Sequence, residues 1–287
     1  MSPKLADVKE KLTYYFWKAI IFKGYLLVVI FGPVLTAIVR FILQYVIKYR
    51  KKVIHRNFEI TGITAAQDIN ALTRNFYKQL SIYFTEIVFG MVAPYHSIDK
   101  KVIYSGLDHI DKAIAGGKHV IILASHLGNW EWAGLLLARK VKYPVTAVYK
   151  PLSNKALDKV MYEARNRFDV QLAPMAEVIK KIRLSPSPGA FMLISDQSPA
   201  SIDGSIEASF FGIETPFFGG PEKLSKKYDM AVVYQQIKPL GKGRYSINYL
   251  PVESREVTNE YAGMLEEDIR KHPAYWLWSH KRWKLIK

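Results

Sequence analysis

Cysteine is absent from this 287-residue chain, which excludes a disulfide framework and any metal site built from thiolates. The H-E-x-x-H pattern of zinc peptidases and the G-x-S-x-G turn of serine hydrolases are absent as well. Acidic residues are scarce, with 25 Asp and Glu against 41 Lys and Arg, so the formal net charge is +16. This surplus favours an anionic partner such as nucleic acid, an anionic membrane or an acidic protein, although a soluble basic protein would show it too.

Charge is also missing from residues 24–39, GYLLVVIFGPVLTAIV, and the apolar run resumes after Arg40 as far as Ile47. This length of apolar sequence predicts a membrane anchor, and a buried core helix is the alternative. Pro33 should kink a helix here, which leaves a tilted span, a re-entrant helix and an in-plane hairpin open. Positive charge next to an apolar segment marks the cytoplasmic side and binds anionic lipid. The basic residues that follow are Lys48, Arg50, Lys51, Lys52, His55 and Arg56.

Residues 57–287 are expected to form one domain, behind a membrane anchor and basic segment over residues 1–56. Thr64 and Gln67 fit a capping box that would begin a helix, and Pro94 would end it. From Lys101 onward, short apolar runs alternate with helical segments. This alternation predicts an α/β fold with a largely parallel, mixed sheet flanked by helices. The predicted strands are KVIY, HVIILAS, VTAVY, VQLAP, AFMLIS, AVVYQQI and YSINYLPV.

A histidine stands where the buried strand HVIILAS ends, and ligands of open α/β sheets collect at the carboxyl ends of strands. Asn129 can cap a helix just after His126, and Glu131 lies in the first turn of that helix. A carboxylate that accepts a hydrogen bond from one ring nitrogen leaves the other nitrogen free as a base. Such a pair would activate a substrate hydroxyl, but the spacing fits a surface histidine beside a helix-stabilising glutamate equally well.

The string HLGNWE is an H-x4-E box, and it resembles the H-x4-D/E signature of the lysophospholipid acyltransferase superfamily. The surrounding blocks resemble one branch of it, the lauroyl and myristoyl acyltransferases of lipid A biosynthesis. They occur in the order of that branch, although ARNR has Ala where the family more often has Gly. The blocks are KYRKKVIHRNFEI, SHLGNWE, VYKP, the Arg-x-Arg pair, Asp-Gln at a strand end, the FFG turn and IRKHPAYWLWSHKRWK.

This resemblance implies an acyltransferase that uses neither a metal nor a cofactor. His126 would be the general base, Glu131 would orient it, and an acceptor hydroxyl would attack an acyl thioester directly. The expected substrate-binding residues are Asn129, Trp130, Tyr149, Lys150, Arg165, Arg167, Asp196 and Gln197. The two arginines fit a solvated helix face as an alternative, and Asp196 could cap the next loop. Aromatic residues that fit either an acyl channel or core packing are Phe210, Phe211, Phe217 and Phe218.

The resemblance also implies the partners and the location. The donor would be acyl carrier protein, whose acidity complements the charge of this chain, and the acceptor a lipid A precursor or another glycolipid or phospholipid. The enzyme would lie at the bacterial inner membrane with its catalytic domain in the cytoplasm. Lys281, Arg282 and Lys284 in the tail WSHKRWK fit carrier docking or membrane-interface anchoring. A non-catalytic membrane-binding or nucleic-acid-binding protein would explain the charge but not the H-x4-E box, and we expect no nucleic-acid partner.

Overall fold

A computed structural model describes residues 3–66 and 68–286 of the chain. Helix α1 (Pro3–Phe41) continues into a π-helical segment, Ile42–Val46, and is kinked at Phe31, where φ is −123° and ψ is 24°. Pro33 explains the kink, because its ring clashes with the carbonyl four residues earlier and it has no N–H to donate. Only 6% of the most apolar stretch of this helix is buried, so it is not a core helix. By length and composition it is capable of crossing a membrane.

Helix α2 (Lys51–Thr61) and helix α3 (Ile69–Val92) follow the anchor. The Asp68 carboxylate caps α3, accepting hydrogen bonds from the backbone N–H groups of Asn70 and Ala71, both at 3.0 Å. The capping box predicted at Thr64 is therefore wrong, since Thr64 lies in a 3₁₀ turn, Ile63–Ala66. Gln67, its expected second member, lies outside the described residues.

The expected boundary between residues 56 and 57 falls inside α2. Ile54 and Phe58, one on each side of this boundary, are fully buried in the same core. The basic segment is therefore built into the folded domain and is not a separate juxtamembrane unit.

In the part of the chain that the structure describes, nine strands follow, and seven of them form one sheet in the spatial order β1-β9-β8-β2-β5-β3-β4. All neighbouring pairs in this sheet are parallel except β8 and β9, which form an antiparallel hairpin. The predicted α/β fold with a largely parallel, mixed sheet is confirmed. The strands are β1 (Val102–Ser105), β2 (Val120–Ala124), β3 (Val145–Tyr149), β4 (Gln171–Pro174), β5 (Ala190–Ile194), β6 (Ser205–Phe210), β7 (Ile213–Phe218), β8 (Ala231–Gly241) and β9 (Arg244–Pro251).

Helices cover both faces of this sheet, and its central strand β2 is buried at every position. Ile121 and Leu123 belong to one hydrophobic core, and Val120 and Ile122 belong to the other. Burial on both faces explains why this strand is continuously apolar. The remaining helices are α4 (Tyr95–Asp99), α5 (Leu107–Ala115), α6 (Trp130–Leu137), α7 (Lys155–Arg165), α8 (Val178–Arg183), α9 (Gly220–Tyr228) and α10 (Val257–Lys271).

The remaining two strands, β6 and β7, form a separate antiparallel hairpin, where the sequence pattern indicates only an FFG turn. Phe210 and Phe217 on this hairpin are at most 1% exposed, and Phe211 is buried with them. Their rings pack in one aromatic cluster with Trp276, Trp278 and Trp283 of the C-terminal tail. These three phenylalanines therefore pack in the core and do not line an acyl channel.

The C-terminal tail is folded into the protein. Arg282 is 1% exposed, its Nη1 donates to the Pro216 carbonyl at 2.9 Å, and its guanidinium lies 4.2 Å from the centre of the Phe217 ring. Only Lys281 and Lys284 of the three predicted basic residues are exposed. Arg282 therefore cannot contribute to a basic docking or membrane-interface patch, and such a patch at this tail stays a prediction for Lys281 and Lys284 alone.

Candidate active site

The candidate site lies at the carboxyl edge of the sheet, where β2 and β5 end side by side. Ala124 pairs with Ile194 in the parallel register, so His126 and Asp196 each stand two residues beyond a paired position. The His126 Nδ1 atom is 2.7 Å from Asp196 Oδ1, and the His126 backbone N–H donates to Oδ2 at 2.9 Å. Strand register thus brings together two residues that are 70 positions apart in sequence.

Asp196 is almost fully buried, and it accepts a third hydrogen bond from Trp276 Nε1 at 2.8 Å. Burial alone would raise the pKa of this carboxyl, but the charge of His126 and the hydrogen bonds from His126 and Trp276 outweigh it and lower the pKa. An ionised carboxylate only accepts hydrogen bonds, so His126 Nδ1 must carry the proton between them. In the neutral imidazole this arrangement leaves a lone pair on His126 Nε2, as a general base requires.

The loop after His126 is fixed by the same tail that supplies Trp276. The Gly128 N–H donates to the Tyr275 carbonyl, and the Leu277 N–H donates to the His126 carbonyl, both at 3.1 Å. Gly128 has a φ of +68°, and a Cβ there would come within 2.4 Å of the Ile237 side chain. Glycine is therefore required at this position of HLGNWE both by conformation and by space.

Glu131 has a different partner from the one that the H-x4-E spacing predicted. Its carboxylate binds Arg165 of α7 in a two-bond pair, with Arg165 Nε 3.0 Å from Oε2 and Nη2 2.6 Å from Oε1. Within residues 3–66 and 68–286, the side-chain hydrogen-bond partners of His126 are Asp196 and Gln197. This geometry disagrees with the expectation that Glu131 orients His126. It also disagrees with the alternative that Arg165 lies on a solvated helix face.

A cavity of about 330 Å³ opens beside His126 at this edge. Its mouth carries Tyr149, Lys150, Gln197 and the Glu131–Arg165 pair, and Phe218 is part of its wall. The remaining walls are largely apolar, so they suit a hydrocarbon chain. The apolar side chains come from α6 and from strands β3, β4 and β5, and they include Leu135, Ala147, Val148, Leu172, Met192 and Ile194.

A second cavity, of about 290 Å³, shares Trp130 and Gln197 with the first. The Trp130 ring packs edge-on against the His126 ring with centroids 4.9 Å apart, and the Gln197 amide nitrogen is 3.3 Å from His126 Nε2. His126 therefore lies at the partition between the two cavities. The other residues around the second cavity are Tyr49, Arg50, Leu80, Tyr83, Phe84, Ile87, Leu277, Ser279 and His280.

Two residues that were predicted to bind substrate instead hold the scaffold. Asn129 is buried and caps α6, accepting from the Trp132 N–H at 3.0 Å, which agrees with its predicted cap. Arg167 donates to three carbonyls at the end of α3, those of Gly90, Val92 and Ala93. These contacts satisfy acceptors that a helix end leaves without partners. Neither side chain is part of the walls of the two cavities.

Glu86 was not identified from the sequence. It is a buried acid on α3 whose Oε2 accepts from Asn129 Nδ2 and from the Tyr245 hydroxyl, both at 2.8 Å. Burial raises the pKa of this carboxyl, against the opposing effect of those two hydrogen bonds. Its signal in the sequence is a single acid inside the apolar run LSIYFTEIVFG. Through Asn129 it supports the start of α6, behind the site.

The family described as bacterial lipid A biosynthesis acyltransferase matches residues 6–285. A phosphatidylinositol mannoside acyltransferase of Mycobacterium tuberculosis is 24% identical over 194 residues, 63% of this chain and 60% of that protein. A lipid A biosynthesis palmitoleoyltransferase of Escherichia coli is 20% identical over 249 residues, 83% of this chain and 80% of that protein. The resemblance seen in the sequence blocks is thereby confirmed.

Among solved structures, the 1-acyl-sn-glycerophosphate acyltransferase PlsC from Thermotoga maritima matches 85% of this chain and 96% of its own, with a TM-score of 0.35 and 14% identity. The chain spans about 60% of the length of the mycobacterial relatives that it matches. The proteins named in the family and among these relatives are acyltransferases.

Proposed function

We propose an activity for this chain, which belongs to the bacterial lipid A biosynthesis acyltransferase family. It transfers a fatty acyl chain from an acyl thioester to a hydroxyl of a lipid acceptor. The observation that carries this proposal is the His126–Asp196 pair, in which Asp196 is buried and His126 lines an apolar cavity. The pair supplies a base with its free nitrogen fixed, and the cavity offers space for a hydrocarbon chain.

In the proposed mechanism, His126 Nε2 takes the proton of the acceptor hydroxyl as its oxygen attacks the thioester carbonyl. Asp196 stabilises the imidazolium that forms, because its carboxylate is ionised and 2.7 Å from Nδ1. Collapse of the tetrahedral intermediate breaks the carbon–sulfur bond, and the departing thiolate takes the proton back from Nε2. The acyl group then forms an ester with the acceptor, and no acyl-enzyme is formed. The Gln197 amide must leave Nε2 when the hydroxyl arrives.

The two cavities suit the two substrates. We assign the acyl chain to the larger cavity, because strand side chains make its walls apolar, and Lys150 stands exposed at its mouth. We assign the acceptor to the second cavity. Its walls combine Tyr49 and Arg50, which directly follow the anchor, with the apolar Leu80, Phe84 and Ile87 of α3. Arginine suits a phosphorylated head group because its planar fork donates two hydrogen bonds at once.

The donor and the location form the second part of the proposal. The net charge of +16 supports an acidic acyl carrier protein as donor. The apolar α1 and its basic neighbours support a position at the inner membrane with the catalytic domain in the cytoplasm. The relatives are named for lipid A and for phosphatidylinositol mannoside, so a lipid A precursor is the first acceptor to test and a phosphorylated glycolipid the second.

The test is acyl transfer by the purified full-length protein in detergent, with acyl carrier thioester and a lipid A precursor. His126→Ala should reduce turnover by about 10²–10⁴-fold, the usual contribution of a general base. His96→Ala, at an exposed histidine, is the matched control and should keep full activity. Full activity of a folded His126→Ala variant, or an isolated covalent acyl-enzyme, would overturn the mechanism.

A further inference from the structure

Helix α1 is bound to the catalytic domain near its N-terminal end. The Tyr14 hydroxyl is 2.8 Å from both carboxylate oxygens of Glu163, and Lys18 Nζ is 3.1 Å from Glu163 Oε2. Lys159 Nζ lies 4.8 Å from the centre of the Tyr14 ring. Glu163 and Lys159 belong to α7, the helix that also carries Arg165 of the candidate site. The first half of the anchor therefore lies against the catalytic domain.

The middle of α1 contacts a second helix of the same domain, α3. The rings of Tyr25 and Phe89 pack with centroids 5.7 Å apart, and the hydroxyls of Thr36 and Thr85 are 3.2 Å apart. Contacts with the domain thus extend from Tyr14 to Thr36, a helical length of about 33 Å at 1.5 Å per residue. That length is comparable to the whole hydrocarbon thickness of a bilayer, about 30 Å.

A helix that crossed the membrane could not make both sets of contacts. If the uncharged residues 24–39 spanned the bilayer, residues 14–18 would emerge on the face opposite Lys48 and the catalytic domain. Glu163 cannot lie on that face, because α7 connects β3 to β4 within one sheet. Tyr14 and Lys18 must therefore be on the same side of the membrane as His126.

We propose that α1 does not cross the membrane but lies along its surface, with its outward face in the lipid and its inward face on α3 and α7. The inward face carries small and polar residues such as Gly24 and Thr36, and the outward face is apolar apart from the exposed Lys23. Large hydrophobic residues exposed on the outward face include Leu12, Phe16, Ile20, Leu27, Ile30, Val34, Ile38 and Phe41.

The residues after α1 fit the same orientation. Lys48, Lys51, Lys52 and Arg56 are exposed at the end of the anchor. Positive charges near anionic lipid strengthen membrane binding. The exposed apolar face of α1 and these adjacent basic residues together suit a helix that lies in the lipid interface. The occupant of the exposed apolar face is therefore a lipid surface.

This orientation explains how a lipid acceptor reaches the second cavity, an inference that rests on the proposed function. Leu80, Phe84 and Ile87 of that cavity lie on α3, and Tyr49 and Arg50 directly follow the anchor. Because α1 packs on α3, this cavity lies close to the membrane surface. An acceptor can then enter from the leaflet without passing through water.

The absence of cysteine makes the orientation directly measurable, because single-cysteine variants label without background. Lys9→Cys reports the start of α1, and Lys52→Cys is the matched control after the anchor; both positions are exposed. We would treat bacterial spheroplasts and inverted inner-membrane vesicles with a membrane-impermeant maleimide. Both variants should label in inverted vesicles and neither in spheroplasts. Labelling of Lys9→Cys only in spheroplasts would overturn the proposal.

A second measurement covers the case in which lipid shields residue 9. The double variant Tyr14→Cys with Glu163→Cys should be joined by a short bis-maleimide in intact membranes, and each single variant serves as the control. A spanning helix would hold the two positions about 30 Å apart, so no cross-link would form although both cysteines react. Neither assay reads catalysis, so a failed orientation and a failed acyltransferase reaction are distinguished.

Discussion

Asp196 and Glu131 are both carboxylates at the edge of the sheet where β2 ends, yet their side chains differ in exposure, 1% against 21%. Asp196 contacts the His126 ring, and Glu131 contacts the Arg165 guanidinium. The residue that completes the sequence motif is thus paired with an arginine in the cavity wall. The residue that contacts the ring of His126, the proposed base, follows the neighbouring strand. Closeness in sequence and closeness to the His126 ring are separate properties here.

The largest effect that tests this difference is expected from Asp196→Asn. An Asn amide can donate to His126 Nδ1, which would move the imidazole proton to Nε2 and remove the base. We expect kcat to fall by about 10²–10⁴-fold while KM changes little. Steady-state kinetics with both substrates check this, and circular dichroism confirms the fold. Activity within a few-fold of the parent would show that Asp196 does not set the tautomer.

A smaller effect on catalysis is expected from Glu131→Gln. The substitution leaves the half-buried Arg165 without its carboxylate, and a hydrogen bond to a charged group contributes about 1.5–3 kcal/mol to stability. We expect that loss in the free energy of unfolding, and a fall in kcat/KM well under the effect of Asp196→Asn. Arg165→Gln and the double variant Glu131→Gln with Arg165→Gln complete a double-mutant cycle. The coupling free energy between the two residues should be about 0.5–3 kcal/mol.

Glu131→Gln also separates two interpretations of the H-x4-E box. If Glu131→Gln were as inactive as Asp196→Asn while its unfolding free energy was unchanged, Glu131 would act on the chemistry and not on the wall of the cavity. Asp196 and Glu131 would then not differ in role.

The sequence predicted the strands around this site and the position of His126 well. The seven strands of the sheet, including VTAVY at β3, follow from local apolar and β-branched patterns. His126 follows from its place at a strand end, a local feature as well. The role of Asp196 does not, because it depends on the parallel register of β2 and β5, which pairs residues 70 positions apart. An Asp at a strand end looks the same whether it caps a loop or meets a histidine.

Two basic stretches show the same limit. Lys48, Lys51 and Lys52 after the anchor are exposed, as their composition suggested, whereas Arg282 of the equally basic tail is buried over Phe217. The tail is buried because the β6–β7 hairpin presents aromatic rings to it. The sequence did not predict that hairpin, since β7 contains Pro216 and ends in two consecutive phenylalanines, although β6 alternates polar and apolar residues. Composition therefore predicted that each stretch is basic, but not which residues each stretch packs against.

A third prediction concerns the environment of Asp196. Trp276→Phe keeps most of the ring but removes the N–H that Asp196 accepts at 2.8 Å. The unfolding free energy should fall by about 1.5–3 kcal/mol at pH 7, and kcat should fall less than in Asp196→Asn. Trp278→Phe is the matched control, because its Nε1 donates to the neutral carbonyl of Pro273.

The pH dependence of this loss has a definite sign. The pKa of Asp196 is lowered in the folded protein, so its contribution to stability is present above its ordinary pKa of about 3.9 and is lost as pH falls through the lower folded value. The difference between Trp276→Phe and the parent should therefore stay constant from pH 7 to about 4 and shrink as pH is lowered below about 3.9. The difference for Trp278→Phe should stay constant. A constant difference for both variants would mean that Trp276 acts only by packing.

The smallest effect is expected at His280, which lines the second cavity. Burial lowers the pKa of His280 to about 4, with His126, Arg282 and Lys284 acting in the same direction and Asp196 against it. The pKa of a histidine in the unfolded chain is about 6.5. Between pH 6.5 and 4 the unfolded chain therefore binds a proton that the folded chain does not bind. This stability is complete above pH 6.5 and falls as the pH drops toward 4. His280→Gln should flatten that decline in urea unfolding at pH 7.5 and 4.5, whereas His96→Gln, at an exposed position, should reproduce the parent. An unchanged decline in His280→Gln would show that other groups cause the loss, such as His55 and His272, whose pKa values burial also lowers.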